Sequence, residues 1–350
     1  MISDVAILYF YIYNNKKYYF FGEKHNATNS NCEYKYNIPC VDNCISIKTL
    51  LPNWINYNNN NNIYTDVYIE LAYRSVKKPQ TLSTRPILVV DELLCNTYEY
   101  IKYEYIDIRS YGDIRDIDPF LFETASMYFI NTVSRRPKKY LLDFRQDLIL
   151  LINLMIINYK DFVNAIVEPD GYQLLIKKWK YYIFNNPDVN YIFHLKLKHL
   201  KLLTIKYNNN CVHQVANKII ELSNINKNLT TLIYKFINYV SINTINNIVQ
   251  DLNSTPVLVF GTKNITKNQL ICNINNIFNW VKNSFLPLSA ISMDTLLLCK
   301  LFLPSCSDEI IVFTGYQHIQ NYVLFFNNYL GIKPVLEYPY KLNNTCIVLL

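Results

Sequence analysis

Two short motifs of the form Gly-x-x-His lie near the two ends of the chain. The first runs from Gly22 to His25 and the second from Gly315 to His318. With 6 Gly and 5 His in 350 residues, about 0.1 such matches are expected by chance. Two imidazoles could bind a divalent metal or act as acid and base near neutral pH. The alternative is a pair of structural turns whose histidines are partly buried.

Acidic and basic side chains are available to complete such a site. Glu23 lies inside the first motif, and Glu70 interrupts an apolar segment, where a buried carboxylate needs a partner. Asp107 and Arg109 alternate with apolar residues, which places both on one side of a strand. For Glu70 the alternative to a functional role is a buried structural ion pair, and the same alternative holds for Asp107 with Arg109.

Each motif follows a predicted strand. The first follows the apolar segment Lys17–Phe21 and the second follows Glu309–Thr314. In an open α/β sheet, ligands bind beyond the carboxyl ends of the strands. A glycine at that point permits a sharp turn or the close approach of a ligand. We therefore expect structural turns at Gly22 and Gly315 and, if the two strands are parallel, both histidines at one edge of the sheet.

The N-terminal third predicts short apolar strands separated by polar loops. These strands are Val5–Tyr13, Lys17–Phe21, Asp66–Ala72, Pro86–Val90 and Tyr103–Ile108. Asn14 and Asn15 predict a turn between the first two strands. The run of asparagines Asn58–Asn62 predicts a solvent-exposed loop or insertion.

Apolar residues recur at helical spacing from about Pro119 to Ser254, which predicts a block of helices. Helices and strands then alternate. The predicted helices are Asn268–Phe285, Asp294–Phe302 and Ile319–Leu330, and the predicted strands are Glu309–Thr314, Val335–Tyr338 and Cys346–Leu350. Gly331 occupies the position just beyond the last helix that favours glycine.

This order of elements predicts an α/β fold with a mixed or mostly parallel central sheet, flanking helices and a large helical insertion. We assign residues 1–118 to the N-terminal half of the α/β core and 255–350 to its C-terminal half. Residues 119–254 would form the helical insertion or subdomain.

Cysteine content and hydropathy favour the cytoplasm. Nine Cys residues are spread along the chain, whereas small secreted domains concentrate them in even sets. Cys32, Cys40 and Cys44 lack a second pair at zinc-finger spacing. Residues 1–13 have no basic start and carry Asp4, so we expect no secretory leader. The longest apolar run, Leu148–Ile157, is too short to span a bilayer, which predicts no membrane association.

The formal net charge of +7 admits nucleic-acid binding, but the lysines are scattered, which favours a mildly basic surface instead. We expect a small-molecule or peptide substrate and no nucleic acid. The 31 Tyr and 6 Gly, with abundant Asn, Ile and Lys, reflect AT-rich codons. This bias indicates an AT-rich large DNA virus or a parasite as the source.

The motif residues resemble the superfamily that contains erythromycin esterase-like, ChaN-like and TraB/Tiki proteins. The matching residues are Gly22, Glu23, His25, Glu70, Asp107, Arg109, Gly315 and His318. The resemblance covers both ends of the chain and implies an α/β core with a cleft at the strand ends. Its members include hydrolases, metal-dependent proteases and a haem binder, so it implies no single reaction.

These observations predict a hydrolase, metal-dependent or acid/base, in the host cytoplasm or the virion. His25 and His318 would be metal ligands or acid/base groups, and Glu23 a metal ligand or general base. Glu70 would orient a histidine or complete the metal shell, and Arg109 would stabilise developing negative charge. The alternative is a non-catalytic ligand-binding or virion-associated structural protein that retains the fold and uses its many tyrosines at interfaces.

Overall fold

The computed structural model describes eight continuous parts of the chain and three separate residues. They are residues 2–3, 7–23, 45–70, 98–106, 137–146, 214–254, 265–338 and 346–347, with the helical residues 149, 152 and 156. The chain divides into two compact units. The first combines 1–107 with 300–350, and the second is 108–299. The boundaries expected from the sequence, after 118 and after 254, fall within the second unit.

The first unit is built on a six-stranded sheet. In chain order its strands are β2 (Ile7–Tyr13), β3 (Lys16–Glu23), β5 (Thr65–Ile69), β6 (Ile101–Tyr105), β7 (Glu309–Gly315) and β8 (Leu336–Tyr338). Their order across the sheet is β6-β5-β7-β3-β2-β8. β6, β5, β7 and β3 run parallel to one another, and β2 is antiparallel to both of its neighbours, β3 and β8. The mixed, mostly parallel sheet predicted for an α/β fold is therefore confirmed.

A second, three-stranded sheet is formed by two-residue strands. Its order is β4 (Ile45–Ser46), β1 (Ile2–Ser3) and β9 (Cys346–Ile347). β1 is parallel to β4 and antiparallel to β9. This small sheet joins both ends of the chain. The predicted strand Pro86–Val90 lies outside the described residues.

The hairpin between β2 and β3 turns at Asn14 and Asn15, as predicted. Both residues have positive φ angles, 49° and 62°. A two-residue hairpin loop of type I′ has this left-handed conformation at both positions, and its twist matches that of the strands. Asparagine tolerates that conformation better than other non-glycine residues.

One face of the six-stranded sheet packs against the helix α1 (Ile47–Asn60). The shared core of buried residues contains Leu8, Phe21, Val67, Ile69, Ile311 and Phe313 from the strands with Ile47, Leu51 and Ile55 from α1. Every residue of β7 is buried. A central parallel strand covered on both faces has this continuous apolar character, and its sequence accordingly lacks alternation.

The opposite face packs against a helix near the C-terminus. This helix, here α4 (Tyr316–Leu324), continues into the π-helical segment Phe325–Tyr329. The ring of Phe326 lies 4.9 Å from Tyr11, 5.1 Å from Phe20 and 5.3 Å from Tyr18, measured between centroids. Gly331 follows with a φ of 70°. The predicted helix and its terminal glycine are confirmed, although the helix begins three residues earlier than predicted.

The asparagine run differs from the predicted exposed loop. Asn58, Asn59 and Asn60 complete α1, and Asn62, two residues beyond its end, has a φ of 57°. Asn58 is buried, and its Nδ2 donates to Thr65 Oγ1 at 2.9 Å and to Glu309 Oε2 at 2.8 Å. The prediction was wrong because it judged the run by composition, whereas an asparagine amide in the last turn can bond to the adjacent strands.

Glu309, at the start of β7, is a buried carboxylate with three side-chain donors. Besides Asn58, Lys17 Nζ and Trp54 Nε1 each donate to it at 3.0 Å. A buried carboxylate is tolerated when it is hydrogen-bonded and paired with a cation. This network ties α1 and β3 to β7 at the amino ends of the parallel strands.

The second unit is helical in its described parts. It contains helical segments at 138–146 and 214–225, the helix α2 (Lys227–Ser254) and most of the helix α3 (Lys267–Phe302). The two helices predicted at Asn268–Phe285 and Asp294–Phe302 are one continuous helix, with Pro287 inside it. A helix can continue through a proline at the cost of one backbone hydrogen bond. None of the described helices is long and apolar enough to cross a membrane.

We predict that Asn58→Ala lowers the free energy of unfolding by about 2–3 kcal/mol, because it removes two buried hydrogen bonds, one of them to the Glu309 carboxylate. Asn60→Ala is the matched control, since Asn60 is exposed in the same turn of α1 and its loss should change stability by less than about 0.5 kcal/mol. Urea unfolding of both variants measures the difference. Equal losses would contradict a structural role for Asn58.

Candidate functional site

The two Gly-x-x-His motifs begin side by side in the sheet. β3 and β7 are parallel neighbours, with Gly22 opposite Thr314 and Glu23 opposite Gly315. β5 is the other parallel neighbour of β7, and its last residue, Ile69, is opposite Phe313. Because carboxyl ends of parallel strands meet at one edge, Glu23, Gly315 and the residue after Ile69 lie at the same edge of the sheet. The parallel arrangement on which the candidate site depends is therefore present.

Glu70, the residue after β5, contacts the start of α4 with both carboxylate oxygens. Its backbone N–H donates to Phe313 O at 3.0 Å, which holds it against β7. Oε2 accepts a hydrogen bond from Gly315 N–H at 2.6 Å. Oε1 lies 3.3 Å from His318 Nε2, and the two side chains are only 5% and 9% exposed. One buried carboxylate thus joins β5 to the last residue of β7 and to the first turn of α4.

Two features of α4 favour a negative charge at this position. The N-cap residue of the helix is Gly315, which has no side chain of its own to cap it, and the first N–H groups of a helix form a partial positive charge. His318, the third residue of α4, is charged when protonated and then forms an ion pair with Glu70. When His318 is neutral, the proximity of Glu70 favours the proton on Nε2 and leaves Nδ1 as the basic nitrogen.

The two glycines of the motifs differ from the predicted turns. Gly22 lies inside β3, and Gly315 is the last residue of β7, directly before α4. Gly315 has φ −62° and ψ 150°, which any residue can adopt. A Cβ on Gly22 would lie 2.6 Å from Ile7 Cγ1 and 3.3 Å from Ile319 Cγ1. Close packing of α4 and β2 on β3, rather than a turn, is what requires glycine at position 22.

Glu23 is buried at the same edge of the sheet, but alternation places it on the other face. Gly22 faces Ile319 of α4, so the next residue belongs to the face of Phe21. Ile69 packs in the core with Phe21, and Glu70 after it therefore belongs to the face of α4. Glu23 and Glu70 are thus at the same carboxyl edge of the sheet, but their side chains belong to opposite faces.

The remaining candidates lie outside the described residues. These are His25, Asp107 and Arg109, and also Cys32, Cys40 and Cys44. Among the side chains that the structure describes, no group of three or more His, Cys, Asp and Glu could hold a metal ion. The metal set His25, His318 and Glu23 therefore stays a prediction.

A polar cluster around Tyr9 was not found from the sequence. Tyr9, buried on the α4 face, forms side-chain hydrogen bonds with Gln320 and Glu337. Burial raises the pKa of Tyr9, Gln320 lowers it, and the charge of Glu337 raises it further. No local signal reveals this cluster, because it depends on the antiparallel pairing of Tyr9 with Glu337 across β2 and β8.

Comparison with known proteins gives no match, whether to a protein-family model, to a curated protein or to a solved structure. The resemblance to the erythromycin esterase-like, ChaN-like and TraB/Tiki superfamily therefore stays a prediction that rests on the motif residues. Any function for the site must be argued from its geometry.

We predict that Glu70 and His318 are energetically coupled. A double-mutant cycle with Glu70→Gln and His318→Gln should give a coupling free energy of about 1–2 kcal/mol at pH 7, because each single change leaves a buried polar partner. The exposed pair Lys218–Glu221, with side chains 36% and 49% exposed, serves as the control and should give about 0.5 kcal/mol or less. If the stability losses of the two single variants add up to the loss of the double variant, the side chains of Glu70 and His318 do not interact.

Proposed function

We propose that this chain is a hydrolase whose reacting group is His318, held by Glu70 at the carboxyl edge of the sheet. The observation that supports the proposal is the double contact of Glu70, which accepts Gly315 N–H at 2.6 Å and lies 3.3 Å from His318 Nε2. A carboxylate that fixes an imidazole in one orientation is the usual support of a histidine general base. Small-molecule esters or peptides are the proposed substrates.

In the proposed reaction, His318 Nδ1 accepts a proton from a water molecule whose oxygen attacks the substrate carbonyl carbon. The new C–O bond gives a tetrahedral intermediate. The protonated Nδ1 then returns the proton to the leaving group as its bond to carbon breaks. Glu70 stabilises the imidazolium between these two steps, and the Gly315 N–H keeps Glu70 in place. We propose Arg109 for the developing negative charge on the substrate.

A metal-dependent version of the reaction would use His25 and His318 as ligands. Glu23 is left out of this set because it lies on the opposite face of the sheet from His318. Glu70 would then be the carboxylate that orients a ligating histidine, an arrangement common around metal-binding imidazoles. The described residues do not by themselves make up a ligand set, so the steps above are written without a metal. We further propose that the helical middle of the chain is an insertion in the α/β core and that the protein acts in the host cytoplasm or the virion.

A second candidate function is supported by burial. Counted over the whole residue, Glu23, Glu70 and His318 are 3%, 8% and 7% exposed. Such values are expected for packed residues rather than for residues that line an open cleft. In this alternative Glu70 and His318 form a structural ion pair, and the chain is a non-catalytic ligand-binding or virion-associated structural protein. The two proposals differ in whether substitution of the pair changes turnover or only stability.

We predict that the purified protein hydrolyses at least one of two chromogenic probes with a reactive carbonyl group: p-nitrophenyl acetate or an acyl-amino-acid p-nitroanilide. His318→Gln should lower kcat by about 10²–10⁴ because the general base is lost. Glu70→Gln should give a similar reduction, because the imidazole loses its orientation and its counter-charge. Release of p-nitrophenol or p-nitroaniline measures the rate.

Trp54→Phe is the control for these activity measurements. It removes one donor from the buried Glu309 at the other end of the strands and should leave kcat within about twofold of the wild type. Equal activity in all four proteins would place the reaction elsewhere. Absence of hydrolysis with every probe, together with stability losses in the Glu70 and His318 variants, would favour the structural alternative.

Elemental analysis tests the metal-dependent version. We predict stoichiometric divalent metal in the wild type, after incubation with zinc, manganese or cobalt, and its loss in the double variant His25→Ala/His318→Ala, because each change removes a proposed ligand. Cys32→Ala/Cys44→Ala is the control for metal bound by cysteine. An identical metal content in wild type and histidine variant would remove the metal from the proposal and leave acid/base catalysis.

A further inference from the structure

We propose that Gly22 of the first motif is a positioning residue for His318 of the second. The inference rests on the proposed function, because His318 is the group being positioned. It explains why the first motif has a glycine at position 22. The glycine in β3 provides the space into which α4 packs, and α4 carries the histidine that meets Glu70.

The space above Gly22 is filled from two elements. A Cβ at this position would lie 2.6 Å from Ile7 Cγ1, 3.2 Å from Ile7 Cδ1 and 3.3 Å from Ile319 Cγ1. Ile7 is 1% exposed and Ile319 is fully buried. Neither side chain faces open space, so an added methyl group must displace β2 or α4, or force a strained rotamer.

A displacement of Ile319 affects His318 directly, because the two residues are adjacent in the first turn of α4. The Glu70–His318 distance is already 3.3 Å, at the long end of a polar contact. A shift of a few tenths of an ångström is enough to weaken such a contact. Glu70 is held to β7 by its own backbone and by Gly315. It therefore does not follow α4, and the gap between the two side chains widens.

The test is NMR of histidine-labelled protein at a fixed pH of about 7, where imidazole signals report ring environment. The ring signals of His318 are assigned by their absence in His318→Gln. Glu70→Gln defines their position when the carboxylate is lost. We expect Gly22→Ala to move the signals most of the way to the Glu70→Gln position. These signals report the pair without turnover, so they remain informative if the hydrolase assays fail.

Gly331→Ala is the matched control. Gly331 has a φ of 70°, and a Cβ there would meet nothing within 4 Å, so alanine adds backbone strain without a steric contact. Its His318 signals should stay at the wild-type position even though the variant is less stable. Unchanged signals in Gly22→Ala, or equal shifts in both glycine variants, would overturn the proposal.

A compensating variant separates steric displacement from general loosening. Ile7→Ala/Gly22→Ala removes the atom that lies 2.6 Å from the added Cβ and should return the His318 signals to the wild-type position. If Gly22→Ala alone does not fold, this double variant carries the test. Wild-type signals in it support the steric explanation, and signals at the Glu70→Gln position overturn it.

Discussion

The buried carboxylate of Glu70 is the interaction on which this end of the molecule depends. A charge with so little exposure is tolerated only when hydrogen bonds and an opposite charge compensate for the lost water. Here the compensation comes from the Gly315 N–H and from the imidazole of His318. Both partners belong to the junction of β7 and α4. The direction in which α4 leaves the sheet is therefore tied to the chemistry of one side chain on the neighbouring strand.

Glu309 is a second buried carboxylate, and its contacts are those expected of a purely structural role. It lies at the opposite end of β7 and has three side-chain donors, one of them the permanent cation of Lys17. Glu70, in contrast, is paired with a histidine, which is charged only when it is protonated. β7 thus begins with a carboxylate that accepts hydrogen bonds from three side chains, and the Glu70–His318 pair lies beyond its other end. This contrast is a reason to seek chemistry at the carboxyl edge, where ligands of α/β sheets bind.

The sequence predicted the elements whose signals are local. The two asparagines of the hairpin, the apolar run of β7 and Gly331 after the last helix each require one backbone conformation or one environment. The parallel pairing of the two strands that precede the Gly-x-x-His motifs was stated only as a condition, because strand order is set by long-range packing. Asn58 and Gly22 were misread for the same reason: their roles depend on Glu309 and Ile319, each more than 200 positions away in the chain.

The chemistry of the pair itself favours function over architecture. A buried ion pair adds little net stability, because its desolvation offsets most of its attraction, and apolar residues of similar size often serve as well. α4 already packs on the sheet through buried residues such as Ile319 and Tyr322, so packing does not depend on a charged pair at this position. A glutamate held by a backbone N–H and directed at an imidazole is an arrangement that supports proton transfer, since it fixes which ring nitrogen is basic.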